Sequence, residues 1–230
     1  MIEIGSGALT ATIDPLGAEL VGLRDAQGRE WMSDGDPAYW AGRAPLLFPI
    51  VGKLNGGVYR LDGRDYALPQ HGFARRREFT LAEQAADRVV FRLTDDEETR
   101  AAYPFAFALD AAFTLTGSTL AMEITVTNRG DAPMPASFGF HPAFAWPLPG
   151  GGAKAEHRIR FEREEPALLS RIEGGLIGAA NRETPVEGDT LWLRDELFVD
   201  DALVWEAPAS RALRYGCEGG PDLAIAFPDM

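Results

Sequence analysis

Residues 105–127 read FAFALDAAFTLTGSTLAMEITVT. Phe105, Phe107, Leu109, Ala111, Phe113 and Leu115 fall on every second position, the period of a strand that buries one face. Gly117-Ser118 turns the chain. Leu120, Met122, Ile124 and Val126 then repeat the pattern, with Glu123, Thr125 and Thr127 on the opposite face. This is an antiparallel hairpin, and it sets the class for what surrounds it.

Working towards the N-terminus, Glu78 to Ala82 and Val89 to Leu93 read as two more strands. Asp95 to Arg100 reads as a solvated acidic loop. Leu9 to Ile13, Ala18 to Leu23 and Glu30-Trp31-Met32, broken by Asp14-Pro15 and Asp25-Ala26-Gln27-Gly28, read as a β-meander. Ser33 to Arg43 is looser and carries the aromatic pair Tyr39-Trp40. Towards the C-terminus, Leu191 to Leu193, Leu197 to Val199, Leu203 to Trp205, Leu213 to Tyr215 and Leu223 to Phe227 are short strand candidates. Ile159 to Thr190 gives mixed signals. No sustained helical period, internal repeat or linker interrupts this series, so an all-β antiparallel sandwich in one domain, residues 1–230, is expected.

Composition narrows the function classes. Hydrophobic residues make up 46% of the 230, enough for a substantial core. A net charge of −13 argues against a nucleic-acid backbone or an anionic membrane as partner and favours a neutral or cationic small molecule. No apolar run approaches the roughly 20 residues that span a bilayer. Met1-Ile2-Glu3-Ile4 lacks the basic start of a secretion signal, and a lone cysteine, Cys217, suits a reducing compartment. A cytoplasmic protein is expected.

The chemistry gathers in residues 43–77, RAPLLFPIVGKLNGGVYRLDGRDYALPQHGFARRR. Pro45 to Val51 suits a buried strand, and Gly52-Lys53-Leu54-Asn55-Gly56-Gly57 sets a basic side chain and an amide among glycines. Val58 to Leu61, the Asp62-Gly63 turn and Arg64 to Leu68 form a hairpin that delivers Gln70-His71-Gly72-Phe73-Ala74-Arg75. The partner segment is Phe138-Gly139-Phe140-His141-Pro142-Ala143-Phe144. An imidazole among aromatics can be tuned from its reference pKa near 6.5 and used as acid or base. Trp40 and Trp146 are candidate stacking faces for a sugar ring, while His, Lys, Asn and Gln hydrogen-bond hydroxyls. His157, in Ala155-Glu156-His157-Arg158, reads as surface. The three histidines lack the spacing of a zinc site, no Gly-x-Ser-x-Gly elbow starts a serine triad, and PLPGGG at 147–152 lacks the ending of a phosphate loop. Neither a metal nor a cofactor is expected.

LLFPIVGKLNGG, LPQHGFARRREF, YPFAFAL, ITVTN and FGFHPAF together resemble the aldose 1-epimerase (galactose mutarotase-like) family, and within it the bacterial LacX-type branch. The resemblance runs from the first strands to the end of the chain. It implies a mutarotase-type β-sandwich that interconverts the α and β anomers of an aldose. By that resemblance His141 is the general acid at the ring oxygen and His71 binds beside it. Lys53, which stands where the family carries an arginine, contacts sugar hydroxyls, as does Asp201, with Asp200 as its substitute; Asn55 and Gln70 are further candidate hydroxyl contacts by their amide chemistry. The family's base is a glutamate in a motif like Cys-Ile-Glu-Pro-Trp. This chain ends Ala224-Ile225-Ala226-Phe227-Pro228-Asp229-Met230, which resembles the strand before that motif. The expectation is therefore a domain lacking the family's last strands, with Glu218 and Glu206 as the weak candidates for the base and an open sheet edge for a homodimer partner to cover. The alternative reading is a carbohydrate-binding protein of the same fold that does not turn its sugar over.

Overall fold

The computed structural model describes residues 1–228; Asp229 and Met230, the end of the quoted C-terminal stretch, lie outside the described residues. The chain divides into two compact units, Met1–Phe144 and Ala145–Met230.

In the first unit, β1 (Ile2–Gly5), β2 (Leu9–Asp14) and β3 (Glu19–Asp25) form a meander in which β2 and β3 are the expected strands. Glu30 and Met32 make only single bridges, to Arg24 and Phe144, and the third place is taken by Ile2–Gly5. Beyond it, β4 (Leu46–Leu47) is short, and β5 (Val58–Leu61) and β6 (Arg64–Ala67) make the hairpin across Asp62-Gly63. Strands β7 (Thr80–Gln84), β8 (Arg88–Thr94), β9 (Phe107–Thr116) and β10 (Thr119–Asn128) form one antiparallel sheet in the order β10-β9-β8-β7. Leu120 faces Leu115 and Val126 faces Leu109, the register that the alternating pattern dictates. Phe107, Leu109, Ala111, Phe113 and Leu115 are buried, and they pack the core with Val89, Phe91 and Leu93. The last strand of this unit, β11 (Gly139–Phe140), pairs with β4.

One expectation here is corrected. Residues 95–100 are not a solvated loop, because they open helix α1 (Glu97–Ala102). The Asp96 side chain accepts from the Thr99 N–H at 2.7 Å, and the Thr99 hydroxyl accepts from the Asp96 N–H at 2.8 Å. This reciprocal cap, with Glu97 and Glu98 in the first turn, stabilises a helix too short to show a period.

The second unit holds a sheet in the order β15-β12-β16-β17, built from β12 (His157–Phe161), β15 (Thr190–Trp192), β16 (Ala212–Cys217) and β17 (Asp222–Ala226). A separate hairpin joins β13 (Leu169–Glu173) to β14 (Leu176–Arg182). Two strand expectations fail here. Residues 195–198 form a 3-10 turn with only Leu197 buried, and Val204 makes a single bridge to Ser170 in place of a ladder. Isolated apolar triplets do not distinguish a strand from a turn that buries one side chain.

His157 is also corrected: it is buried, not surface. Its Nε2 accepts from the Leu148 N–H at 3.0 Å, and its Nδ1 lies 3.1 Å from the Ala153 carbonyl. The ring thus ties down the 147–152 loop, and burial follows from that use. Among the described residues, no helix is long and apolar enough to cross a membrane.

Candidate functional site

Main-chain bonding brings the two histidine segments together. Leu47 pairs with Gly139 and Leu46 with Phe140. The ladder continues outside the strands, with the Ser137 N–H donating to Pro49 at 2.9 Å and the Ala143 N–H to Arg43 at 2.7 Å. His141 therefore leaves β11 beside β4, the strand that ends next to Phe48.

The other histidine is pinned to the same Phe48. Its carbonyl accepts from the Phe73 N–H at 2.9 Å and the Ala74 N–H at 3.2 Å. A Cβ on Gly72 would sit 2.1 Å from that oxygen, so only glycine allows the approach. Phe48 is fully buried against Phe73, Tyr103 and Phe107, with ring centroids 6.1, 6.1 and 5.3 Å away. An aromatic core thus supports the loop that carries the imidazole.

The His71 and His141 ring centroids lie 6.1 Å apart. His71 has a left-handed backbone, φ 65°, and exchanges two bonds with Gly52. Its N–H donates to the Gly52 carbonyl at 2.7 Å, and its Nδ1 accepts from the Gly52 N–H at 3.0 Å. His141 is open to solvent on one side, and among the described residues neither of its ring nitrogens has a hydrogen-bond partner. The ring against it belongs to Trp40, 4.8 Å away and tilted by 40°. Phe138 and Phe140 pair edge to face with each other, and Trp146 lies in the second unit beside Lys154 and Phe198.

Electrostatics set both imidazoles below the ordinary range. Burial lowers the His71 pKa, and the Arg75 guanidinium and His141 add to the effect. Burial and then Arg75 do the same for His141. Arg75 is held by the Gln70 carbonyl at 3.1 Å, and its buried Nε has no hydrogen-bond partner among the described residues.

Of the remaining expected residues, Lys53 and Asn55 are exposed on the turn between Gly52 and β5. The Gln70 amide nitrogen lies 3.4 Å from His71 Nε2. Asp201 belongs to the second unit, where it adopts φ 76° and lines a concavity with Asp200, Arg171, Glu173 and Arg182. Glu218 is exposed in the turn between β16 and β17 and pairs with Arg158 at 3.1 Å. Glu206 accepts a bond from the Ser170 hydroxyl. The sequence reading missed the Gly52 main chain, and it held no signal for it, since a backbone N–H is the same at every residue but proline.

Comparison with known proteins agrees with this architecture. The sequence profile of a family described as Aldose 1-epimerase matches residues 1–203. Protein LacX of Lactococcus lactis subsp. lactis is 32% identical over 239 residues, spanning all of this chain and 80% of the relative. A galactose mutarotase-like protein from Lactobacillus casei superimposes with a TM-score of 0.90 at 28% identity, over all of this chain and 80% of that one. A galactose mutarotase related enzyme from Lactobacillus acidophilus gives 0.85 at 28% identity, over 94% of this chain and 73% of its own. The antiparallel β fold is thus of the galactose mutarotase type.

Proposed function

The chain belongs to the aldose 1-epimerase family, and from that premise we propose that it interconverts the α and β anomers of an aldose, with His141 transferring the proton at the ring oxygen and His71 holding the sugar beside it. The observation that carries this reading is the pair of imidazoles 6.1 Å apart, delivered by two segments bonded to the same strand. Opening a hemiacetal needs a proton given to the ring oxygen and another removed from the anomeric hydroxyl. A positioned acid and base each contribute roughly 10² to 10⁴ in rate, and the open-chain aldehyde then rotates about one bond and recloses. Acid–base chemistry is sufficient for every step. Lys53, Asn55 and Gln70 are the proposed hydroxyl contacts, and the Trp40 face is the proposed stacking surface.

A second reading, sugar binding without turnover, draws support from the carboxylates. Glu218 is ion-paired with Arg158, and Glu206 is bonded to Ser170. Glu19, which lies near Arg75, accepts the Arg43 and Ala44 N–H groups at 2.7 and 2.9 Å. Anomer exchange of freshly dissolved α-D-glucose and α-D-galactose, followed by polarimetry or NMR, separates the two. Acceleration over buffer supports the enzyme. Sugar binding without acceleration replaces it with the binding protein. A cytoplasmic homodimer belongs to the same proposal: Cys217 is a free thiol, and among the described residues β17 ends its sheet with an edge that a second copy would cover.

A further inference from the structure

We propose that the Gly52 main chain fixes His71 as a permanently neutral imidazole with its proton on Nε2, so that His71 donates a hydrogen bond without exchanging a proton and His141 alone titrates. Gly52 is then a positioning residue that acts through His71. The donor role rests on the anomerisation reading, whereas the tautomer does not.

The argument is hydrogen-bond accounting. The Gly52 N–H points at His71 Nδ1 from 3.0 Å, and a backbone N–H only donates. Nδ1 must therefore carry a lone pair, and the neutral ring keeps its one proton on Nε2. Protonating Nδ1 would set two N–H groups against each other. The two main chains are held in the same register, because the His71 N–H is itself bonded to the Gly52 carbonyl at 2.7 Å. The charged groups facing the ring are Arg75, on the 3-10 turn Ala74–Arg76, and His141, after β11, and both oppose a second positive charge. Gln70 is a further polar neighbour. With a proton on Nε2, its amide turns so that the oxygen faces the ring, since amide oxygen and nitrogen are assigned from the network.

The test is long-range ¹H–¹⁵N NMR correlation on the ¹⁵N-labelled, sugar-free full chain from about pH 5 to about pH 8, where an ordinary imidazole titrates. The signals lost in His141→Gln and in His71→Gln supply the assignments and separate both rings from His157. Expected is a bare Nδ1 and a protonated Nε2 on His71 throughout, while His141 gains its proton as pH falls. A proton on Nδ1, or His71 titrating in step with His141, overturns the proposal.

A second arm compares His71→Gln, which keeps an N–H at the ε position, with His71→Asn, whose shorter amide can accept from the Gly52 N–H but places no donor at the ε position. Anomer exchange should survive within about tenfold in the first and fall by about 10² or more in the second. Equal loss in both overturns the donor role. Asn tolerates φ 65° better than Gln, so a folding defect would produce the opposite order. A wild-type chain without exchange would sink the anomerisation reading and leave the NMR result to decide the tautomer.

Discussion

Replacing Gly72 by alanine tests whether the His71 loop is held against Phe48 as described. The new Cβ would lie 2.1 Å from the Phe48 oxygen, 2.4 Å from its carbonyl carbon and 2.7 Å from the Pro49 nitrogen. All three are backbone atoms, so no side chain can rotate aside. Relieving the overlap means parting the two segments by about 1 Å, which forfeits the Phe73 and Ala74 bonds to Phe48, each worth about 0.5 to 1.5 kcal/mol. The left-handed φ of 69° adds about 1 to 2 kcal/mol for any residue with a Cβ. The sum is about 2 to 5 kcal/mol, against the total of about 5 to 15 typical of a folded protein. Gly63→Ala is the control, with φ 78° and nothing within 4 Å of the place its methyl group would take, so only the conformational cost of about 1 to 2 kcal/mol applies. Denaturant unfolding followed by tryptophan fluorescence measures both. Exchange should also fall about 100-fold in Gly72→Ala, since a shift of about 1 Å at a catalytic group costs that much. A Gly72→Ala protein no less stable than Gly63→Ala would refute the close approach, and with it the account of how His71 is placed.

Three further outcomes are expected. His141→Ala should lower anomer exchange by about 10² to 10⁴ towards the buffer rate while leaving the circular dichroism spectrum unchanged; undiminished exchange would remove His141 from the mechanism. Because the acid must be protonated and the His141 pKa is lowered, exchange should rise as pH falls and level off only below the ordinary imidazole value of about 6.5. A plateau already reached above that value contradicts the assignment. Burial alone would raise the Glu165 pKa, but the Ala209 and Ser210 N–H groups, at 2.9 and 2.7 Å, outweigh it and hold the pKa low. Its contribution to stability is therefore complete above the unfolded value of about 4.3 and is lost as pH falls through the folded one. Glu165→Gln should flatten the acid side of the stability curve, and superimposable curves would show that the carboxylate is not so held.

The parts of the fold that the sequence made legible are those where one face is buried over many residues. The alternation across residues 105–127 dictates the β9–β10 register; the β5–β6 hairpin, none of whose strand residues is buried, is legible from its Asp62-Gly63 turn instead. Elements that depend on a few local bonds were not legible. Helix α1 rests on the reciprocal bonds of Asp96 and Thr99, and threonine at that position is a weaker signal than the glutamate or glutamine of a usual capping box. Leu203 to Trp205 is apolar enough for a strand, but the single bridge from Val204 to Ser170 is all the ladder it finds. Pro45 to Val51 is buried over most of its length, yet only Leu46–Leu47 keeps strand pairing, because the Phe48 carbonyl turns to the His71 loop instead.

The three histidines show why the candidate site was only half legible. In sequence each is an imidazole beside polar or aromatic neighbours, and residue type cannot rank them. Ring-nitrogen bonding can. His157 places both nitrogens against the main chain, at Leu148 and Ala153, and so fastens a loop. His71 gives one nitrogen to Gly52 and keeps the other for the site. His141 gives neither to the protein among the described residues and is open to solvent on one side. A group that must take and release a proton in each turnover needs a nitrogen whose protonation breaks no bond in the fold. Of the three, only His141 meets that requirement. That is a stronger reason to place proton transfer there than its position in the FGFHPAF motif.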